Sequence, residues 1–212
     1  MIGHENTANL TVTDQKPDGY FYVAWILWTT FCIPIAYFII MVLMLIIALI
    51  IGDTIYVDGV EHITEDYLFM YFLAPVMGLV TGAVQYGLLR RILAGMGGWV
   101  LATAGGWLLG MFLVLAFIRL HWMVIAQMDL TFLLMGLLIG LAQWLVLRRR
   151  LPGAGWWPLA SLLGWGLVAL VNRSNTIDQY TMLMLGFFPG CATAAALALL
   201  TKQLPRAEER TD

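Results

Sequence analysis

Gln85 and Gln143 are the residues whose type and position most invite chemistry. Each lies inside an apolar stretch and follows the same spacing, Gly-x-x-x-Gly-x-x-Gln, as Gly78–Gly82–Gln85 and Gly136–Gly140–Gln143. On a helix, residues i, i+4 and i+7 share one face. The small residues let a second backbone come close, and the amide can donate and accept hydrogen bonds across the contact. Two uses fit this face. It can be a helix-packing seam, or its amides can converge on a small neutral ligand. Gly186, Gly190 and Thr193 repeat the spacing near the C-terminus, with a hydroxyl in place of the amide. Gln85, Gln143 and Thr193 together therefore define a candidate ligand level.

Other chemistry is argued against by what the apolar stretches lack. None contains a deep Asp, Glu, Lys, Arg or His. Intramembrane ionisable groups mark proton relays, ion paths and counter-ions, so a proton pump, a retinal protein and a bis-His haem protein are disfavoured. His4 falls in the polar N-terminal segment, and His62 and His121 fall in loops. His62 lies beside Glu61, Glu65 and Asp66, a cluster that reads as a solvated acidic loop. No P-loop, HExxH or GxSxG pattern occurs. The expectation is a non-enzyme with no catalytic residue, metal or cofactor. Cys32 and Cys191 sit in apolar runs and read as small packing residues.

The elements that position these residues are membrane helices. The chain has 212 residues, 61% hydrophobic and 11% charged, with mean hydropathy +0.85. Soluble domains carry roughly 25% charge. Six apolar stretches, 21–51, 67–89, 97–118, 130–147, 155–171 and 180–201, approach or exceed the roughly 20 residues that span a bilayer core. The first is well beyond the roughly 7–15 residues of a signal-peptide core, so it is expected to be retained. It is also over-long and contains Pro34, so a kink, a tilt or an extension past the headgroups should absorb the excess.

A block of thirty residues occurs twice, at 78–107 and 136–165, and fifteen of its positions are identical. Divided at its basic loop, the block yields two helix types. The B type carries GxxxGxxQ[YW] and ends in Leu-Arg-Arg. The A type begins at a Trp and continues LAxxxGW. Helices two and four are B, and helices three and five are A. Helix six is a degenerate B. Helix one is a degenerate A, because Trp25, Leu27 and Thr29 fall on Trp99, Leu101 and Thr103.

The expected fold is thus an all-α integral membrane domain over 21–204. Six transmembrane helices form three tandem hairpins, 21–91, 97–150 and 155–204, between cytoplasmic tails at 1–20 and 205–212. Parallel repeats are related by an axis along the membrane normal, so three hairpins predict a pseudo-threefold bundle. Over 78–165 the pattern GxxxGxxQ[YW]xxLRR…W[VP]LA…GW resembles a repeat of uncharacterised bacterial multi-pass membrane proteins. The resemblance implies a bacterial inner-membrane location and brings no activity with it.

Charge predicts the orientation. Lys16, Arg90, Arg91, Arg148, Arg149, Arg150, Lys202, Arg206 and Arg210 fall on one side, and only Arg119 and Arg173 on the other. The positive-inside rule then makes both termini cytoplasmic. The arginines that end the B helices can also grip anionic lipid headgroups, at about 1 kcal/mol each. Trp99, Trp156 and Trp157 at the same boundary read as an interfacial aromatic belt. Arg119 and Arg173 close helices, while Asp129 and Asp178 open them, as the helix dipole favours. Asp58-Gly59 in the acidic loop signals a tight β-hairpin.

The functional expectation is a non-enzymatic membrane subunit or scaffold, packed through its Gly and Gln faces within a larger assembly. Its partners would be lipids and other membrane subunits, with no nucleic acid. The alternative is a carrier or binder of a small neutral or lipid-like molecule at the Gln85/Gln143/Thr193 level.

Overall fold

A computed structural model describes residues 16–119, 128–172 and 179–203. Six helices carry the chain: α1 (Gly19–Ile51), α2 (Thr64–Leu89), α3 (Trp99–Arg119), α4 (Met128–Leu147), α5 (Trp157–Val171) and α6 (Gln179–Leu200). All six give spans long and apolar enough to cross a membrane. The fold is therefore that of an all-α, multi-pass membrane protein. Leu101, Phe112, Leu163 and Leu199 point outward and are exposed. An apolar exterior of this extent suits lipid rather than water.

Each helix packs against its neighbours in sequence, and α1 packs against α6. The six therefore close into a ring. Asp18 opens α1, its carboxylate accepting from the Phe21 N–H at 2.8 Å. The helix then runs unbroken through Pro34 to Gly52. At about 1.5 Å per residue, its 33 residues reach roughly 50 Å. Between α1 and α2, β1 (Thr54–Val57) and β2 (Val60–Ile63) form the expected hairpin, with Val57 opposite Val60. Asp58 and Gly59 both take positive φ, 52° and 79°, which is the left-handed pair of a type I′ turn. Thr64 closes its base by donating from its hydroxyl to the Gly52 carbonyl at 2.7 Å.

The glycine stripes set the helix spacing. A Cβ on Gly78 would lie 2.6 Å from the Ala104 Cα, and one on Gly82 3.0 Å from the Val100 Cα, both on α3. On α4, Gly136 meets the Trp165 Cβ at 2.6 Å and Gly140 the Pro158 Cα at 3.0 Å, both on α5. Gly186 and Gly190 on α6 press on Thr29, Thr30 and Ile26 of α1. Gly106 of α3 faces the Ile139 Cα on α4 at 2.8 Å. All these glycines therefore seat one helix of the ring on another.

Outside the spans, the charged helix ends follow the dipole where they are described. Arg119 is the last residue of α3, and Asp129 lies in the first turn of α4. Arg173, Asp178, His4, His121, Arg206 and Arg210 lie outside the described residues.

Gly136→Ala is expected to lower the thermal midpoint in detergent, by an overpacking cost of about 1–3 kcal/mol. Gly105→Ala, where a methyl meets nothing within 4 Å, should leave it level or raise it. Circular dichroism melts of the two variants compare them directly, and equal midpoints would remove close approach as the basis of the seam.

Candidate functional site

The polar residues of the spans gather between two apolar clusters. At the arginine end, Trp25, Trp99, Trp157, Leu89, Leu147 and Leu197 are all at 0% exposure and share one cluster. At the hairpin end, a second cluster includes Ile33, Met77, Trp107, Met135 and Trp165. Gln85 and Gln143 fall between them along α2 and α4, and Thr193 does so along α6.

Gln143 donates from Nε2 to Gln85 Oε1 at 3.0 Å and to Thr103 Oγ1 at 3.1 Å. Its own Oε1 accepts from the Trp157 indole N–H at 3.0 Å. Gln85 Oε1 also accepts from the Trp99 indole N–H at 3.3 Å. Thr193 Oγ1 accepts from the Trp25 indole N–H at 3.0 Å and donates to the Pro189 carbonyl at 2.6 Å. Three buried tryptophans on α1, α3 and α5 thus donate to three polar residues on α6, α2 and α4. The Trp157 ring stands edge-on to both others, with centroids 6.2 Å from Trp25 and 5.7 Å from Trp99.

This corrects the aromatic-belt expectation. Trp99 and Trp157 are interior plugs; only Trp156 is exposed, at 69%. An indole has a strong reason to turn inward here, because the buried amide oxygens need donors. The sequence carried a signal for it: Trp99 and Trp157 each stand fourteen positions after a Gln of the repeat. Trp25, Thr103 and Ser161 also belong to the buried polar set, and sequence reasoning left their roles unassigned. Ser161 donates to the Gly136 carbonyl at 2.8 Å.

Two cavities lie on the ring's interior. One, of about 30 Å³, is lined by Gln85, Gln143, Thr193, Thr29, Thr81 and Ser161 with apolar neighbours. That volume suffices for a water molecule, which needs at least about 10–15 Å³. The second, toward the hairpin end, is about 140 Å³. Every helix contributes to its wall, through Ile33, Leu73, Trp107, Met135, Trp165 and Leu185 among others. Ile33, Trp107, Trp165 and Leu185 border both cavities and form a collar between them.

The arginines stand apart from this interior. Arg90, Arg91, Arg148, Arg149 and Arg150 are all exposed, as are Lys16 and Lys202. The Arg148 guanidinium lies 4.9 Å from the Trp144 ring centre, a cation–π contact. Arg150 reaches back over Gly95 in the preceding basic loop. In the acidic loop, His62 packs on Tyr67 with centroids 5.0 Å apart. Among the described residues no group of three His, Cys, Asp or Glu is placed to hold a metal. Both cysteines are free thiols, Cys32 buried and in reach of Thr81 Oγ1 at 3.5 Å.

No family model, curated protein or solved structure matches the chain.

The hydrogen bonds rank the two glutamines. Gln143→Leu strands the Trp157 N–H and removes a bond from Gln85 and Thr103. Gln85→Leu strands only the Trp99 N–H, since Gln143 keeps Thr103. Each is expected to destabilise by about 1–2 kcal/mol, with Gln143→Leu the larger. The double variant should cost less than the two singles together, because they share one bond. Equilibrium unfolding of the four proteins checks both the rank and the coupling.

Proposed function

We propose that this chain is a non-enzymatic inner-membrane protein whose helix ring holds a small neutral molecule on its axis. One observation carries the reading: the cavity of about 140 Å³ walled by all six helices. The Gly and Gln faces, which also fitted a seam to other subunits, are spent on contacts between helices of this chain. The ligand chamber lies one layer away from the Gln85/Gln143/Thr193 level, which serves as its floor.

The three-hairpin, pseudo-threefold reading of the bundle belongs to this proposal. Its support is the matched set of indole donors from Trp25, Trp99 and Trp157. The left-handed Gly95 and Gly153, at φ 70° and 79°, are a further matched pair in the two basic loops. Orientation follows the exposed arginines: they face the cytoplasm and anionic headgroups, and both termini lie on that side.

A second reading has its own observation. α1 is roughly 50 Å long against a hydrocarbon core of roughly 30 Å, and Leu49, Ile50 and Ile51 at its far end are exposed. A membrane partner seated on that end would cover them, which fits the subunit role.

Extraction into lipid nanodiscs without detergent, followed by native mass spectrometry, separates the two readings. A monomer carrying a small molecule, lost in Leu73→Trp, is the expected result. A stoichiometric protein complex with an empty chamber would replace it with the subunit reading. Orientation is checked independently by cysteine labelling in intact cells. A Cys at Asp58 should react with an impermeant maleimide, and one at Arg149 should not.

A further inference from the structure

On the outside of the ring, two hollows of about 300 Å³ each follow one another along the seam between α1 and α2. The first lies at the arginine end and is lined by Lys16, Asp18, Tyr20, Ala24 and Arg91 among others. The second reaches further along the helices, past Trp28, Ala83, Val84 and Gly87, and its rim holds Arg90 and Arg91. Leu88 and Arg91 line both, so the two form one groove. From Tyr20 to Trp28 it follows α1 for roughly 12 Å, at about 1.5 Å per residue. Small residues keep it open: a Cβ added to Gly87 would meet nothing within 4 Å. Three cations and one carboxylate line the groove. The carboxylate, Asp18, already accepts from the Phe21 N–H. The side chains of Lys16, Arg90 and Arg91 have no partner among the described residues.

The other two seams of this kind lack one half of that combination. On α3–α4, Leu145 occupies the repeat position of Gly87. Its cations are also engaged: Arg148 lies on the Trp144 ring, and Arg150 reaches over Gly95. On α5–α6 a groove of about 440 Å³ is open, lined by Trp156, Leu163, Ala192, Ala195 and Leu199 among others, but no charged residue lines it. Counting from Thr193 as from Gln85, Ala198 and Leu199 stand where Arg90 and Arg91 do. Space and uncommitted charge thus coincide on α1–α2. We propose that this seam binds one anionic diacyl phospholipid. Arg90, Arg91 and Lys16 take its phosphate, and one acyl chain lies along Ala24, Gly87 and Trp28. A guanidinium pairs well with a phosphate because its forked donors match two oxygens. A zwitterionic lipid brings its own cation to the same three charges and is disfavoured. General attraction to headgroups would use all five arginines alike, whereas this site singles out two. It is independent of any guest on the ring's axis.

Native mass spectrometry of the full chain in detergent, titrated with phosphatidylglycerol or phosphatidylcholine, counts the lipids bound and gives their affinities. One phosphatidylglycerol is expected to bind well ahead of any further lipid and more tightly than phosphatidylcholine. Lys16→Gln and Arg91→Gln should each weaken it about fivefold, the effect of one surface cation on an anionic lipid, and leave phosphatidylcholine unchanged. Arg149→Gln, which removes an equally exposed arginine that lines neither hollow, should change nothing. Gly87→Leu keeps every charge but fills the groove, and it should remove the tightly held lipid. Leucine favours a helix more than glycine does, so this variant should fold. Equal losses in Arg91→Gln and Arg149→Gln would overturn the site in favour of diffuse attraction. Unchanged binding in Gly87→Leu would overturn the groove as the seat of the chain. Equal affinity for the two lipids in the unmutated protein would overturn the phosphate assignment.

Discussion

Gln143 ties four helices together through one amide. From α4 it donates to Gln85 on α2 and Thr103 on α3, and it accepts from Trp157 on α5. The constraint behind this is general: in hydrocarbon no water exists to satisfy a polar group, so each must find a partner inside the protein. A glutamine side chain is short, and it reaches a neighbouring helix only where the backbones lie close. The glycines one and two turns before each Gln provide that closeness. GxxxGxxQ is thus one device with two parts. The glycines bring the helices together, and the amide holds them at that distance and in that register.

The device also divides the interior. On its arginine side, three indoles and three leucines are fully buried in one cluster. On its hairpin side, methionines and larger aromatics meet less completely, and the chamber remains. The two sides differ in side-chain shape. Leucines and indoles hydrogen-bonded to fixed partners occupy single positions. Methionine has several rotatable bonds and fills space adaptively.

The six spans were legible because membrane solvation leaves a long, composition-level trace that no packing detail can erase. The hairpin at Asp58-Gly59 was legible because a type I′ turn makes a specific demand on backbone φ. The stripe Gly78–Gly82–Gln85 could be placed on one face, and the amides at one level, because helical geometry is regular. What they touched could not be read. In the sequence, Trp99 and Trp157 read as interfacial residues because they neighbour basic loops. Hydropathy reports depth along the normal and says nothing of the direction around the helix. The closure of α1 on α6 was announced by the stripe Gly186–Gly190–Thr193 and by Trp25, and the counterparts of Thr193 and Trp25 in the repeated block are a Gln and a Trp. A hydroxyl standing in for an amide is visible as a mismatch in sequence and as a matched hydrogen bond in space. The chambers were not legible at all, since leftover volume is a small difference between large side-chain volumes.

That mismatch at Thr193 has a physical logic. Three glutamines at one level would crowd the axis and compete for the same acceptors. Gln85 Oε1 already accepts two donors. The threonine at 193 keeps the one bond Trp25 requires, and it returns its own proton to the Pro189 carbonyl of its helix. It also removes the bulk of an amide from the centre, where the cavity of about 30 Å³ lies. The same asymmetry reaches Thr29. Its counterpart in the repeat, Thr103, accepts from the Gln143 amide of the next helix around the ring. Thr29 receives no such bond from the described residues. Departure from the repeat thus falls at the one layer where departure creates both space and unspent hydrogen-bonding capacity.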